Sequence, residues 1–343
     1  MNIGLIDVDN YNKAPKFPNI ALMKIAAWHK KQGDNVDWWF GFEHYDRVYM
    51  SKVFDSTYAA DIPFYINADE IIKGGTGYVL RDEDKTLRIF HEGEWVVVSG
   101  SSQMVHGNTT YTEFLPHDVE HIYPDYSIYK ELTGWHNGRR AKQTAYGFLT
   151  RGCPRGCHFC IVAGKEGRRS IKVADLSEWW KKQGNIVLCD PNLLACKDHM
   201  ELLQQLIDSK AWVDVNQGFD CRLLTEQNIE AINQIKLKEI HFAWDYMHEE
   251  ERVLRGLELY AKMATRKPHG RFGTVYCLTN YDTTMEENLR RIYTLEKMGY
   301  DPYVMIYDKP NAPKEIRKLQ RWCNNRFIFK SEPDFYKFYP KTT

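Results

Sequence analysis

The chain has little of what would place it at a membrane, on a polyanion or outside the cell. No apolar run approaches the ~20 residues needed to span a bilayer. Neither sign of charge is in excess: Lys+Arg and Asp+Glu both number 46, for zero net charge. That argues against a general binder of nucleic acid, which would be clearly basic, but leaves room for a local basic groove. Cysteine is sparse at eight in 343 residues, and Met1–Asp7 shows no basic n-region and no long apolar stretch. Unpaired cysteines in a reducing cytoplasm are therefore expected. A phosphate loop is missing as well. Gly74-Gly-Thr-Gly lacks the G-x-x-x-x-G-K-[ST] pattern and reads as a tight turn. Hydrophobic residues at 43% suffice for a substantial core, and most of the aromatics, 14% of the chain, are expected to fill it.

From residue 144 onward one plan repeats. Short apolar runs at 145–150, 185–190, 213–217, 239–245, 273–280 and 302–308 alternate with helical patterns at 174–183, 197–209, 225–235, 249–265, 284–298 and 313–325. Ile-Val-Leu-Cys and Tyr-Val-Met-Ile-Tyr are continuous and apolar, as buried parallel strands are. The expected fold class is α/β, a partial parallel (β/α)6 barrel over 144–326 with a C-terminal tail at 327–343. Its strands end in polar residues: Thr150-Arg151, Asp190, Asn216-Gln217, Asp245, Asn280 and Asp308-Lys309. In a parallel β/α barrel such ends share the face that carries the active site, although each one alone also suits a helix cap. Residues 1–115 read as a small Rossmann-like α/β domain, with strands at 3–7, 36–40, 47–54 and 70–73. Its helix, 19–32, turns Leu22, Ile25 and Ala26 inward. Leu87–Ser99 suggests a hairpin around Glu92-Gly93, and 116–143 is a Tyr-rich linker.

Directly after the first run of the repeat comes Thr150-Arg-Gly-Cys153-Pro-Arg-Gly-Cys157-His-Phe-Cys160, a C-x3-C-x2-C spacing. Three thiolates this close can bind one metal centre without long-range folding, but no fourth cysteine is near. A structural zinc site would be closed by four ligands, and His158, between two of the cysteines, is badly placed to be the fourth. Three ligands to an iron–sulfur cluster leave one iron open to a small molecule. Cys189, Cys196, Cys221 and Cys277 are scattered, mostly in apolar settings, and read as packing residues, with Cys277 or Cys196 as a hydrogen-atom donor left open.

This loop, with Phe159 before its last cysteine, resembles the signature of the radical S-adenosylmethionine (SAM) superfamily, and the order of strands and helices extends the resemblance over roughly 144–310. The resemblance implies that Cys153, Cys157 and Cys160 hold a 4Fe–4S cluster. SAM then binds the open iron and is cleaved reductively to a radical that abstracts hydrogen. It implies that Phe159 flanks the adenine. The family's Gly-Gly-Glu after the second strand is replaced by Asp190-Pro-Asn192, which would meet the SAM ammonium. Gln217, Asp220 and Arg222 are candidates for the ribose and carboxylate. Tyr276 and Asn280 are candidates for ribose or adenine. On the substrate side stand Trp244, Asp245, Tyr307 and Lys309; no catalytic residue is assigned. Arg151 and Arg155 either tune the cluster potential or are solvated loop charges.

Pro18–Gly33 and the Gly74-Gly75 turn resemble the N-terminal domain of the cobalamin-binding subgroup of that superfamily. The D-x-H-x-x-G ligand motif is absent, so cobalamin is not expected. The implied partners are an electron donor such as flavodoxin or ferredoxin, and a small-molecule, peptide or nucleotide substrate. Lys165–Arg169 and Arg139–Lys142 are short basic runs able to touch phosphates, or solvated loops. A reading from another class stays open: a non-catalytic iron–sulfur or zinc module that recognises a partner or nucleic acid.

Overall fold

A computed structural model describes all residues except 16, 55–57, 83–85, 99–102, 130–134, 137–138, 141–142 and 341–343. Ser99 of the expected hairpin, Lys142 of the basic run and part of the expected linker fall outside the described residues. The chain is mixed α/β with parallel sheets. It divides into two compact units. One holds Met1–Gly147, Ile161–Arg168 and Ala174–Ile186; the other holds Phe148–Cys160, Arg169–Val173 and Val187–Thr343. Among the described residues no helix is long and apolar enough to cross a membrane.

The first unit is built on a six-stranded sheet. Its order is Asn35–Trp38, Asn2–Asp7, Tyr45–Ser51, Ala68–Gly74, Thr109–Thr112, Gln103–His106. All neighbours run parallel except the last pair. Asn2–Asp7 is buried at every position but its first, as a strand covered on both faces must be. Helix Ile20–Lys31 starts where the Asn19 side chain accepts the Leu22 N–H at 3.2 Å. Its Leu22, Ile25 and Ala26 are buried against Ile3, Leu5, Val36 and Val119. Each large apolar side chain buried there contributes about 1.5–3 kcal/mol. The sheet's other core gathers Tyr45, Val48, Met50, Tyr78, Ile89 and Tyr111. The hairpin pairs Leu87–His91 with Glu94–Val98. Thr109–Thr112 and Gln103–His106 were not legible as strands, being short and rich in threonine and exposed positions. The expected linker begins as folded structure: the Tyr129 hydroxyl donates to Asp7 Oδ2 at 2.6 Å and accepts the Asn19 N–H at 3.0 Å.

In the second unit strand and helix alternate. The division passes through strand Asn185–Leu188; strands Trp212–Val215, Ile240–Ala243, Gly273–Thr279 and Asp301–Ile306 follow. The last three pair in parallel in that order. Helices His199–Ser209, Glu226–Ile232, Glu250–Met263, Met285–Lys297 and Lys314–Asn324 lie between and after them. Thr225 and Thr284 each open a helix with a capping box. In the first unit one expected helix is missing. Over 174–183 there is only the single turn Leu176–Glu178, because Gln183 Oε1 takes the backbone N–H groups of Lys181 and Lys182. The expected C-terminal tail is also folded. Helices Arg326–Ser331 and Phe335–Phe338 seat Phe329 and Phe335 on the ring of Trp322, which is fully buried.

One glycine sets the chain path after strand Trp212–Val215. Gly218 has φ +79°, and a Cβ there would meet the His241 carbonyl oxygen at 2.6 Å. Gly218→Ala combines a left-handed backbone with a clash against main chain, at a cost of about 2–4 kcal/mol. Thermal unfolding of the variant is expected to begin several degrees below wild type; an unchanged midpoint would show that the loop can rebuild around the methyl group.

Candidate functional site

The cysteine loop starts where a carboxylate stands in for a strand neighbour. Asp190, fully buried, accepts the Leu149 N–H at 2.8 Å, the Thr150 N–H at 2.7 Å and the Thr150 hydroxyl at 2.6 Å. Burial pushes its pKa up to about 6 against the pull of these donors. Thr150–Arg151 then pairs antiparallel with Ile171–Lys172, and the chain turns through Gly152 and Gly156, both at positive φ. Cys153, Cys157 and Cys160 follow, all partly accessible, whereas the other five cysteines are buried. The Cys160 N–H bonds the Cys157 carbonyl at 2.9 Å, folding the last three residues into a turn. Burial raises the Cys157 thiol to about 11; Arg222 draws it down, and Asp245, Cys160 and Cys153 push it up. Cys157 therefore lies in the field of both neighbouring thiols. Among the described residues no three or more His, Cys, Asp or Glu side chains are grouped as ligands of a metal ion.

A second carboxylate organises the surroundings of the loop. Asp220 Oδ2 accepts from Arg155 Nε at 2.7 Å and from Asn192 Nδ2 at 3.1 Å, and Oδ1 accepts from Arg222 Nε at 2.7 Å. Arg222 also bonds Glu249 through Nη1. Burial alone would raise the Asp220 pKa, but the two arginines hold it below its ordinary value. Asn192 reaches further, donating to Cys153 Sγ at 3.6 Å, while its own Oδ1 is buried without a partner. Asp220, Arg222 and Asn192, expected from sequence as cofactor contacts, are thus brought together with the cysteine loop. Asp190 is placed differently. Both of its oxygens accept from the strand end, so it positions the loop. Gln217 is exposed and reaches none of these groups by a hydrogen bond shown here.

The loop also carries the first ring of an aromatic row. Phe159 lies 5.6 Å from Tyr246 and 5.5 Å from Tyr281, and Tyr281 lies 4.9 Å from Tyr307. A candidate for the adenine wall, Phe159, is so linked to a substrate-side candidate, Tyr307. Tyr246 and Tyr281 were missed, although each directly follows a polar strand end, Asp245 and Asn280. Asp245 accepts the Leu278 N–H at 3.1 Å, and burial raises its pKa. Asn280, with φ +62°, donates to the Tyr307 carbonyl at 2.8 Å and fixes that turn. Lys309 is exposed. Trp244 is fully buried and its indole N–H bonds the Tyr246 carbonyl at 3.2 Å, which makes its ring part of the core behind the loop.

Two further groupings were not foreseen. Arg291, fully buried, donates to the carbonyls of Trp244 at 2.5 Å, Asp245 at 3.1 Å and Leu278 at 2.7 Å, clamping two strand ends beside the site. Tyr276, a candidate for the cofactor, instead stacks on His241 at 5.5 Å with its hydroxyl 3.4 Å from Nδ1, and meets Tyr303 edge-on. Comparison with known proteins gives no matching family model and no matching curated protein.

The Asp220 network yields a pH-dependent expectation. Its folded pKa lies below 3.8, so its contribution is complete above that value and is lost as pH falls through the folded pKa. Asp220→Asn leaves two partly buried guanidinium groups with less compensation, Arg222 keeping Glu249, at a cost of about 1.5–3 kcal/mol. Urea unfolding is expected to show that loss at pH 7 and a shrinking difference from wild type below pH 4. A difference independent of pH would mean that the charge of Asp220 is not what binds the loops together.

Proposed function

We propose that the chain is a radical SAM enzyme whose cluster is held by Cys153, Cys157 and Cys160. The observation that carries this reading is the loop itself: three partly accessible thiols within eight residues, with no fourth cysteine among the accessible ones. That donor set fits a cluster that keeps one iron open better than a closed four-ligand zinc site. When bound, such a cluster supplies the electron that cleaves SAM to methionine and a 5′-deoxyadenosyl radical. A partial β/α barrel around this mouth is part of the same proposal.

The chain's own residues have separable tasks in this reading. Asn192 touches Cys153 and holds a buried oxygen without a donor, which suits the ammonium of SAM. Of the two residues expected to meet it, Asn192 rather than Asp190 carries the role in this reading. Arg155 and Arg222, fixed by Asp220 and Glu249, place positive charge beside thiolates and a reduced centre, and so favour the anionic forms. Phe159, Tyr246, Tyr281 and Tyr307 form an apolar wall that would receive a flat ring and exclude water from it. The substrate is a small molecule, peptide or nucleotide, and the electron comes from a flavodoxin- or ferredoxin-type donor in a reducing, cytoplasmic setting.

Anaerobic protein supplied with reductant and SAM is expected to release 5′-deoxyadenosine. Replacing Cys153, Cys157 and Cys160 together by Ala is expected to abolish it, because an incomplete ligand set cannot hold the cluster. Asn192→Ala is expected to keep the iron and lose about tenfold or more in SAM affinity, the worth of one charge-assisted hydrogen bond. Cleavage by the triple variant, or none by the iron-loaded wild type, would refute the proposal.

A further inference from the structure

Positive charge collects on one helix near the end of the second unit. Lys+Arg and Asp+Glu balance at 46 each over the chain, yet residues 314–330 hold six Lys or Arg against one acidic residue, Glu315. Four of the six, Lys314, Arg317, Lys318 and Arg321, belong to the helix Lys314–Asn324. At 3.6 residues per turn they fall within about 100° of arc, opposite the face that buries Ile316, Leu319, Trp322 and Cys323. All four are exposed, and among the described residues none of them makes an ion pair. Arg326, by contrast, pairs with Asp301 at 3.5 Å. Arg317 donates to the Pro310 carbonyl at 2.7 Å and Lys318 lies 5.2 Å from the centre of the Tyr339 ring, contacts that leave both charges in place. The result is a stripe about 10 Å long with a cation at every turn.

Such a face calls for a polyanion. The apolar residues of the helix are committed to the core around Trp322, so it has no apolar side to lay into a membrane or a protein groove. Protein–protein interfaces are centred on aromatic and apolar side chains and depleted of charge there, and a face of four cations lacks that centre. A nucleic-acid backbone needs none, because phosphate contacts alone supply affinity. Arg317 and Arg321, one turn apart, offer forks that match phosphate oxygens bidentately. An exposed ring follows. Phe327, on the next helix Arg326–Ser331, is 89% exposed, whereas Phe329 packs on Trp322. Single strands are held without sequence readout by this combination of a cationic track and a ring on which a base stacks.

We infer that the helix Lys314–Asn324 binds the sugar–phosphate backbone of single-stranded nucleic acid, with a base stacking on Phe327. The inference does not rest on the chemistry proposed for the cysteine loop, and its test needs neither SAM nor reductant. Fluorescence anisotropy of the full chain with labelled oligouridine and oligothymidine reads it. Both are expected to bind with Kd of about 100 μM or tighter at physiological salt, log affinity falling against log salt with a slope of about −2 to −3, as for three or four neutralised phosphates. Replacing Lys314, Arg317, Lys318 and Arg321 together by Gln is expected to cost about tenfold or more in affinity and to bring the slope toward zero. Phe327→Ala is expected to cost about fivefold or more at an unchanged slope. Arg321→Gln alone is expected to flatten the slope by roughly one, which keeps the test should the fourfold change disturb the fold. Extended poly-glutamate sets successive carboxylates on opposite sides of its chain and is expected to bind more weakly. Failure of both oligonucleotides to bind, undiminished affinity in the fourfold variant or in Phe327→Ala, or poly-glutamate bound as tightly as either oligonucleotide, would overturn the inference.

Discussion

One buried carboxylate holds the candidate site together. Asp220 lies just beyond strand Trp212–Val215, yet it fixes Arg155 of the cysteine loop, Asn192 after the preceding strand, and Arg222 of its own turn. Through Arg222 it also engages Glu249, beyond strand Ile240–Ala243. Four segments, each following an apolar strand, are thereby tied to one another by charge-assisted hydrogen bonds, the strong kind. Because Asp220 is 4% exposed, the arrangement depends on every oxygen of that carboxylate being engaged. Asp190 does the same work one layer earlier, giving the first turn of the loop the hydrogen bonds that a neighbouring strand would otherwise supply.

This explains why the cysteines are accessible while the residues behind them are not. The loop is carried on buried polar anchors and turns through glycines, so its thiols need not pack to be positioned. Charge is distributed accordingly. Arg155 and Arg222 are each tied to a carboxylate, so the positive charge of Arg222 near Cys157 is fixed rather than mobile.

Much of the fold was legible because buried parallel strands write themselves as short apolar runs, and capping boxes such as Thr225-Asn228 and Thr284-Glu287 mark helix starts. The inner face of the first helix followed from the spacing of Leu22, Ile25 and Ala26. What failed were features decided by side chain–backbone competition or by long-range contacts. Gln183 dissolves a helix that propensity favours, Phe329 and Phe335 fold a segment that read as a tail, and the strands at 103–112 are too polar to announce themselves. Around the loop, the cysteine spacing was legible, and so was the polar character of the strand ends that bring Asn192, Asp220 and Arg222 together. The division of labour was not, since no local pattern tells that Asp190 would be consumed by Leu149 and Thr150, that Trp244 would point into the core, or that Tyr246 and Tyr281 would join Phe159.

The central claim is that this loop holds a cluster with one iron open to SAM. It is tested most directly by anaerobic reconstitution with iron and sulfide, followed by electron paramagnetic resonance of the reduced protein with and without SAM. The account predicts about four irons and four sulfides per chain and a cluster signal whose shape changes when SAM is added. A reconstituted chain that retains no iron, or a signal that SAM leaves untouched, would contradict it.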